Sequence, residues 1–398
     1  MAVRFQPVGA MSAERERERL RKRIPLAEVQ QQRREAALQR QRAERARATA
    51  WKREEQPEST TLETLAASEL NAPASSETSM EDGSVERTES AHATASKRRT
   101  SAFASRHLMR SDWLLQAPAD LVLGSWFLMA RPVGTRCLLV AHNGRTVSRD
   151  VTGAVLETFS SPLPNGSKHH PSARKKGSCI LDAVLVPEGD YYALDCMCWN
   201  GHAFYNCDTE FRLFFLRSQL AELSASNGSS RRILHALYDQ ASSQTIRSAL
   251  DDGAFGYSVD SFVFTHKESH YEPGFSPLSL LWKPMHASRD GNPLSLVVKV
   301  NDRSGYLVSL DGWGVGRLNL DSMHSREAEA CSSGAAVQVR IGSQGIDFDS
   351  SANGVRRSDL HFESASMSEP QTLSEIAFRY WFHESPESMT LQALTGVQ

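Results

Sequence analysis

The distribution of charge along this chain limits its fold more than any other feature. Between Arg15 and Arg53 there are fourteen Lys or Arg residues and five Asp or Glu residues, a net charge of +9. Because the 398-residue chain carries −2 in total, the rest of it carries −11. Tryptophan and phenylalanine, by contrast, become frequent only after residue 107. This segregation predicts a basic arm attached to an acidic folded body.

The basic arm, residues 1–54, is predicted to be helical without a core of its own. No Gly or Pro interrupts residues 26–51, where the good helix formers Ala, Gln, Glu and Arg dominate. Its apolar residues form only a thin stripe, so we expect a lone helix without contact to the body, ordered fully on a partner. A solvated charged helix, a nuclear localisation patch and an RNA-binding arm are alternatives. Each binding alternative requires an acidic partner.

Composition divides the remainder into three segments. Residues 55–104 are rich in Ser, Thr, Glu and Ala, which predicts a disordered linker. Residues 105–290 are predicted to form an α+β domain of twisted antiparallel sheets. Residues 291–398 are predicted to be a β-rich C-terminal extension, whose role the sequence does not indicate.

Turn signals predict individual elements of these two folded segments. Pro132-Val133-Gly134 predicts a hairpin of strands 126–130 and 137–141, and Pro187–Asp190 predicts a hairpin of strands 180–186 and 191–198. The remaining predictions are strands at 211–216, 261–265, 294–300, 305–310 and 337–341, and helices at 233–249, 373–382 and 389–394.

The sequence also argues against several classes of protein. No apolar run approaches the roughly 18 residues of a membrane helix, and we expect no secretory signal. Six cysteines in a chain of this length indicate reduced thiols and no disulfide scaffold. Zinc binding is an alternative for Cys196, Cys198, His202 and Cys207. Because a Cys-x-Cys pair lacks the usual two-residue knuckle, we predict buried thiols and no metal or cofactor.

Four motifs follow one another in a suggestive order. They are Leu108–Leu114, Trp126–Arg136, Val259–Gly274 and Leu280–Pro284. In this order they resemble the motifs of mRNA-capping guanylyltransferases and related covalent nucleotidyltransferases. That family opens with a Lys-x-Asp-Gly-x-Arg hexad, whose lysine attacks the nucleotide. Here the hexad begins with Arg131, and arginine stays protonated and cannot act as a nucleophile. Val133 and Leu281 replace two further family residues, so we predict that the chain is not an enzyme.

A closer resemblance covers residues 107–284 and includes Tyr191–Tyr205 and Thr209–Phe215. These segments are similar to the snurportin family of import adaptors for spliceosomal snRNPs. The resemblance implies a guanylyltransferase-like domain that binds the 2,2,7-trimethylguanosine cap of snRNA, and an N-terminal helix that binds importin β. It implies a shuttling monomer of nucleus and cytoplasm, with an exportin as a further candidate partner and no membrane contact. The expected importin-binding residues are Arg33, Arg34, Arg40, Arg42, Arg45 and Arg47.

The chemistry of the cap indicates which side chains such a site needs. Methylation at N7 makes the base cationic, which favours an aromatic face, and two methyls on N2 remove the donors that a carboxylate would accept. The resemblance implies that Trp282 stacks on the base with one face open to a cleft. It places Ser111 and Trp113 at the base edge and Arg131 and Arg136 at phosphate. Arg110, Arg149 and Lys283 complete the predicted set.

Other interpretations of the same residues remain open. Without the resemblance, Trp113 is a core anchor, and Arg136 is a solvated surface charge. The chain could instead be an active guanylyltransferase or RNA ligase with a displaced nucleophile such as Lys267 or Lys283. It could also read 7-methylguanosine caps in mRNA metabolism.

Overall fold

A computed structural model describes residues 26–47, 106–169, 177–224, 231–250, 255–284, 294–320, 323–348, 355–366 and 368–396. The predicted linker and the rest of the arm lie outside these residues. The chain divides into two compact units. Among the described residues, the central unit comprises those within 36–112 and 119–283, and the C-terminal unit comprises those within 26–35, 113–118 and 284–396. No helix in the described part of the chain is long and apolar enough to cross a membrane.

The arm contains the predicted helix, α1, over residues 26–47. Residues 36–47 belong to the central unit, where Gln41 is fully buried and its Oε1 accepts a hydrogen bond of 3.0 Å from the backbone N–H of His270. The expectation of a lone helix without contact to the body is therefore wrong for this half. Acidic side chains of the central unit compensate the positive charge of this half of α1. The pattern of apolar residues along the helix does not indicate such partners.

In its described residues, the central unit contains two sheets, the second half of α1 and two further helices. Their strands are β1 (Met109–Trp113), β2 (Trp126–Pro132), β3 (Thr135–His142), β4 (Arg145–Asp150), β5 (Val155–Phe159), β6 (Cys179–Leu185), β7 (Tyr191–Trp199), β8 (His202–Ala203), β9 (Ile233–His235), β10 (Tyr238–Gln240), β11 (Val259–His266) and β12 (Gly274–Trp282). One sheet has the order β1-β12-β11-β2-β10, and the other has the order β5-β4-β3-β6-β7-β8, with β9 parallel on β7. The helices are α2 (Thr209–Ser224) and α3 (Ser243–Ala249). The predicted α+β class with antiparallel sheets is confirmed.

The larger sheet is buried on both faces, which explains its nearly continuous apolar strands. Leu139 of β3 faces a cluster that includes Leu216 of α2. Its neighbours Leu138 and Val140 face a second cluster with Leu108. A strand between two cores has no polar face, so the alternation that identifies half-buried strands is lost.

The two predicted hairpins had different outcomes. Strands β6 and β7 pair antiparallel, as predicted. Strands β2 and β3 exist, but β2 lies in the smaller sheet and β3 pairs with β4 and β6, so the predicted pairing is wrong. The turn between them carries the chain from one sheet to the other. A Cβ on Gly134 would lie 2.3 Å from the carbonyl oxygen of Leu185, which is why glycine occupies this crossing.

Two secondary-structure predictions in the central unit are wrong. Residues 211–216 lie in α2 rather than in a strand, because Leu213, Leu216 and Leu220 are buried at helical spacing. The predicted helix 233–249 is confined to α3, which starts after the N-cap Ser242. Residues preceding it form the edge strands β9 and β10, so tertiary pairing overrides local helix propensity there.

The C-terminal unit contains an antiparallel sheet of its own, with the order β15-β14-β13-β16-β17. Its elements are β13 (Ser295–Val300), β14 (Tyr306–Val308), β15 (Gly314–Arg317), α4 (Ser325–Ala330), β16 (Ala336–Phe348), β17 (Val355–Ala365), α5 (Leu373–Glu384) and α6 (Leu391–Thr395). The predicted strands β13, β14 and β16 and the helix α5 are confirmed. A Cβ on Gly316 would lie 2.1 Å from Ser358 Oγ, so the outer strands β15 and β17 meet and close a barrel.

A buried carboxylate joins the two sheets of the central unit. Asp182 of β6 accepts hydrogen bonds from Arg136 Nε (3.1 Å) and Nη2 (2.6 Å) and from the Tyr271 hydroxyl (2.8 Å). Arg136 Nη2 also donates to the carbonyl of Met109 in β1, at 2.7 Å. The backbone N–H of Met109 donates to the Tyr271 hydroxyl at 3.0 Å. Burial and the charge of Asp182 raise the pKa of Tyr271, so this phenol stays protonated as a donor.

We expect Asp182→Asn to lower the free energy of unfolding of the central unit by about 3–5 kcal/mol, because it leaves the guanidinium of Arg136 without its counterion. Urea denaturation followed by tryptophan fluorescence measures the change. The matched control is Asp190→Asn, which removes the ion pair with the largely exposed Arg232 and should change stability little. Equal effects of the two substitutions would show that the buried network does not hold the sheets together.

Candidate functional site

The candidate site lies at the edge of the smaller sheet where β2 and β12 end and β11 begins. Trp282 of β12 is opposite Phe262 of β11, which is opposite Ala130 of β2, so the three side chains share one face. The rings of Phe262 and Trp282 stack with centroids 6.0 Å apart and planes inclined by 22°. Trp282 exposes only 8% of its surface. The expectation that it presents an open face to a cleft is therefore wrong.

A charged cluster lies beside this aromatic pair. The register between β2 and β11 shifts at Asp260, a β-bulge that redirects its carboxylate. Arg131 Nη2 and Lys283 Nζ each donate to a different oxygen of that carboxylate, both at 2.5 Å. Burial opposes ionisation of Asp260, but the hydrogen bonds from Lys283 and Arg131 lower its pKa. Two cations around one carboxylate leave a net positive charge, which suits an anionic ligand.

Two further predicted residues lie on β1, next to β12 in the sheet. The hydroxyl of Ser111 is 2.7 Å from that of Ser279, three residues before Trp282. Arg110 precedes Ser111 and is partly exposed. The fold thus brings Arg110, Ser111 and Trp282 onto adjacent strands.

Three of the predicted site residues make structural contacts instead. The guanidinium of Arg136 is bound by Asp182, so its role as a phosphate contact is corrected to a structural one. Arg149 is 6% exposed and donates to the carbonyl of Gly153 at 3.0 Å, which fixes the turn between β4 and β5. Trp113 belongs to the C-terminal unit, and its ring packs 4.9 Å from that of Phe378. This packing agrees with the alternative interpretation of Trp113 as a core anchor.

The residues that sequence reasoning missed are Asp260 and Phe262. Both lie inside the quoted motif Val259–Gly274, and Asp260 is the acid next to the apolar alternation of β11. An acid at the start of a strand is a common surface residue, so its partners become evident only when β2 and β12 are placed beside it. The sequence shows that Phe262 is aromatic, but its pairing with Trp282 depends on the register between β11 and β12.

The basic arm meets the central unit through ion pairs. Arg40 Nη2 donates to both oxygens of Glu272, at 2.7 and 2.6 Å. Arg42 binds Glu268 through two parallel hydrogen bonds of 2.7 and 2.6 Å, the strong geometry for this pair. The hydrogen bonds from Arg42 lower the pKa of Glu268. Arg45 donates to Glu268 and also to Asp208.

The other predicted importin-binding residues differ in their surroundings. Arg34 is 5% exposed, and its Nε and Nη2 donate to Gln31 Oε1 at 3.1 and 2.7 Å. Arg33 is half-buried, whereas Arg47 is exposed. The six arginines therefore do not form one open basic face in this conformation.

In the suspected zinc motif, Cys196 and Cys198 are buried, whereas Cys207 is partly exposed. Burial raises the pKa of Cys198 to about 11, and it raises the pKa of Cys196 as well. Their neighbour His202 is exposed. Among the described residues, metal-ligating groups converge within 4.8 Å only at Glu44, His270 and Glu272, where Arg40 already binds Glu272. The structure therefore gives no support to the zinc alternative.

Comparison with known proteins identifies the segment that contains the candidate site. Residues 107–284 match the family described as the snurportin-1 m3G cap-binding domain. A mycobacterial DNA ligase D complexed with ATP is 14% identical, with a TM-score of 0.33, over 67% of this chain and 97% of that one. A Chlorella virus DNA ligase–adenylate is 12% identical, with a TM-score of 0.30, over 67% and 100% of the two chains. Likenesses this low carry no argument about function. The family match identifies residues 107–284 as a domain of the snurportin cap-binding type.

Proposed function

We propose that this chain is a non-catalytic nuclear import adaptor. The central unit binds the 2,2,7-trimethylguanosine cap of spliceosomal snRNAs, and α1 binds importin β. The observation that carries the proposal is the family match over the segment that contains Trp282, Lys283 and Arg131. We further propose that the adaptor is a monomer that shuttles between nucleus and cytoplasm, with an exportin as an additional partner.

The candidate site has the chemistry that this cap requires. A cationic methylated base is attracted to the electron-rich face of an indole such as that of Trp282. Asp260 already accepts hydrogen bonds from Arg131 and Lys283, so it is not a free acceptor for a base amine. That favours a base whose N2 donors are blocked by methyl groups. Because Trp282 is 8% exposed, the side chains that cover it have to move when the base enters.

The same residues argue against transfer chemistry. Arg131 stands where covalent nucleotidyltransferases have their lysine, and a guanidinium does not lose its proton in proteins. Lys283 donates to Asp260, and Lys267 donates to Gln240 at 3.2 Å and lies 5.1 Å from the centre of the Phe127 ring. Carboxylates and ring faces favour the ammonium form, which has no lone pair for attack. A stable covalent adduct after incubation with labelled GTP or ATP and magnesium would contradict the proposal.

We expect Trp282→Ala to weaken binding of a trimethylguanosine cap analogue by about 1–3 kcal/mol, the contribution of one stacked base. Fluorescence titration measures it, with 7-methylguanosine and unmethylated analogues as competitors. The matched control is Phe214→Ala, which truncates an aromatic side chain that is 60% exposed on α2 and should not change affinity. Unchanged affinity in the Trp282 variant removes this residue from the site, and preference for the 7-methylguanosine analogue favours a reader of mRNA caps.

Lys283→Gln should weaken cap binding and reduce its dependence on salt, because a phosphate contact releases a counterion. The expected decrease in the slope of log affinity against log salt is about 0.7–1 for one lost contact. Lys267→Gln is the control, since Lys267 interacts with Gln240 and Glu210 and should leave the slope unchanged. Equal slopes for wild type and the Lys283 variant would move the phosphate site elsewhere.

The contacts of α1 bear on how the receptor would bind. Importin β has to displace Glu268, Glu272 and Asp208 before it can bind Arg40, Arg42 and Arg45. The Arg42 and Glu268 side chains are 53% and 40% exposed. Pairs this exposed are worth about 0–1 kcal/mol each after solvent screening, so a receptor can replace them. The arm is therefore proposed to exchange one set of acidic partners for another.

Glu268→Gln combined with Glu272→Gln should strengthen importin β binding by about two- to tenfold, because two weak competing pairs are lost. Surface plasmon resonance with the full chain measures the change. The control for net charge is Glu222→Gln, which removes one exposed negative charge on α2. Arg47→Ala should weaken receptor binding without affecting these pairs.

Two results would count against the arm assignment. If the double Glu variant binds importin β more weakly than wild type, these acids are part of the receptor site. If deletion of residues 1–54 leaves receptor binding intact, the arm does not carry it. The same deletion should leave cap affinity nearly unchanged, which separates failure of the arm assignment from failure of the cap assignment.

A further inference from the structure

The order in which the strands of the C-terminal barrel are connected indicates which of its faces can bind a ligand. Its first strand, β13, pairs with β14 and β16, and its third strand, β15, pairs with β14 and closes against β17. Helix α4 lies between the third and fourth strands in the chain. This is the connectivity of the five-stranded OB barrel, whose ligand face is formed by strands 2 and 3 and the loop between strands 1 and 2. Those parts correspond to β14, β15 and residues 301–305.

The outer face of β14 and β15 presents an aromatic ring. Leu307 and its partner Gly316 point into the barrel, so the next pair, Tyr306 and Arg317, points outward. Tyr306 is 40% exposed. A Cβ on Gly314 would lie 2.0 Å from the Tyr306 hydroxyl, so the phenol extends across β15 where glycine leaves room for it. Glycine at this position lets the ring lie close to the sheet.

Three basic side chains lie on the strands and in the loop next to this ring. Arg317 is its cross-strand partner, and Lys299 of β13 points outward because Val298 and Val300 are in the barrel interior. Arg303 lies in the loop between β13 and β14. All three are exposed, and within the described part of the chain no acidic side chain forms an ion pair with them. The one acid in the same loop, Asp302, accepts hydrogen bonds from the backbone N–H and the hydroxyl of Ser304.

We propose that this face of the barrel binds single-stranded RNA, with a base stacked on Tyr306 and phosphates held by Arg317, Lys299 and Arg303. An exposed ring among unpaired cations matches the alternation of bases and phosphates along a single strand. An oligosaccharide would use the ring and not the charges, and a protein segment would need apolar surface beside it. The inference goes beyond cap binding, because the barrel lies outside the segment 107–284 that matches the cap-binding family.

A photo-crosslinking experiment locates the RNA on the full chain, which also carries the basic arm. The probe is an uncapped oligouridylate of about twelve nucleotides with one 5-iodouridine, irradiated at low protein concentration and analysed by peptide mass spectrometry. We expect an adduct on the peptide that contains Tyr306, since stacking brings the iodinated base against the ring. Adducts confined to residues 1–54, or no adduct at all, overturn the proposal.

Variants provide an independent measure by fluorescence anisotropy with the same oligonucleotide. Tyr306→Ala should weaken binding at this face by about tenfold, as expected for one lost stacking contact, while Tyr306→Phe should bind like wild type. Arg317→Gln should flatten the salt dependence by about 0.7 for a single-stranded ligand. Arg247→Gln, an exposed arginine on α3 of the central unit, is the matched control.

The outcomes separate this inference from the proposed cap function. Thermal melting of each variant shows that the barrel is folded, and cap-analogue affinity should be the same in Tyr306→Ala and wild type. Loss of cap binding in Trp282→Ala with oligouridylate binding retained supports two sites. Oligouridylate affinity within twofold of wild type in both Tyr306→Ala and Arg317→Gln, or an equal loss in Arg247→Gln, overturns the proposal.

Discussion

The buried carboxylate of Asp182 is the interaction on which the central unit depends. It is 2% exposed, and its hydrogen bonds come from Arg136 and Tyr271, which also bond to the backbone of Met109. Strands of both sheets are thereby tied to one charge pair, because Met109 is in β1 and Asp182 is in β6. Taking two charges out of water is costly, and such a pair holds its geometry only when every polar group is satisfied. Three donors converge on this carboxylate, which meets that condition.

This arrangement fixes the position of the candidate site. Tyr271 lies between β11 and β12 in the chain, so the network holds the connection whose two strands carry Phe262 and Trp282. It also explains why Arg136 is not available to a ligand. If the guanidinium of Arg136 moved to a phosphate, it would lose its hydrogen bonds to Asp182 and to the carbonyl of Met109, which connect the two sheets. A net positive charge lies instead on the smaller sheet, at Arg131 and Lys283, where two cations share the carboxylate of Asp260.

Sequence reasoning succeeded where local patterns are strong. The hairpin of β6 and β7, the strand β11 and the helices α1 and α5 follow from turn residues, alternation and uninterrupted helix formers. It failed where partners distant in the chain decide. Residues 211–216 form a short, mostly apolar run that resembles a buried strand, but they are helical, because Leu213 and Leu216 face the core at helical spacing. The structure places Lys283, the residue after Trp282, and Arg131 on one carboxylate. The counterions of Arg136 and of the arm could not be predicted, because they depend on tertiary placement.

Two kinds of Arg–carboxylate pair in this protein have opposite consequences because their environments differ. Arg212 is fully buried and binds Asp195 through two hydrogen bonds of 2.9 Å, so loss of either partner would leave an uncompensated charge in the core. Arg42 and Glu268 have the same bidentate geometry, but about half of each side chain is in contact with solvent. Water can replace either partner there at little cost. The buried pairs therefore determine the fold, whereas the exposed pairs of α1 form a docking contact that another acidic surface can replace.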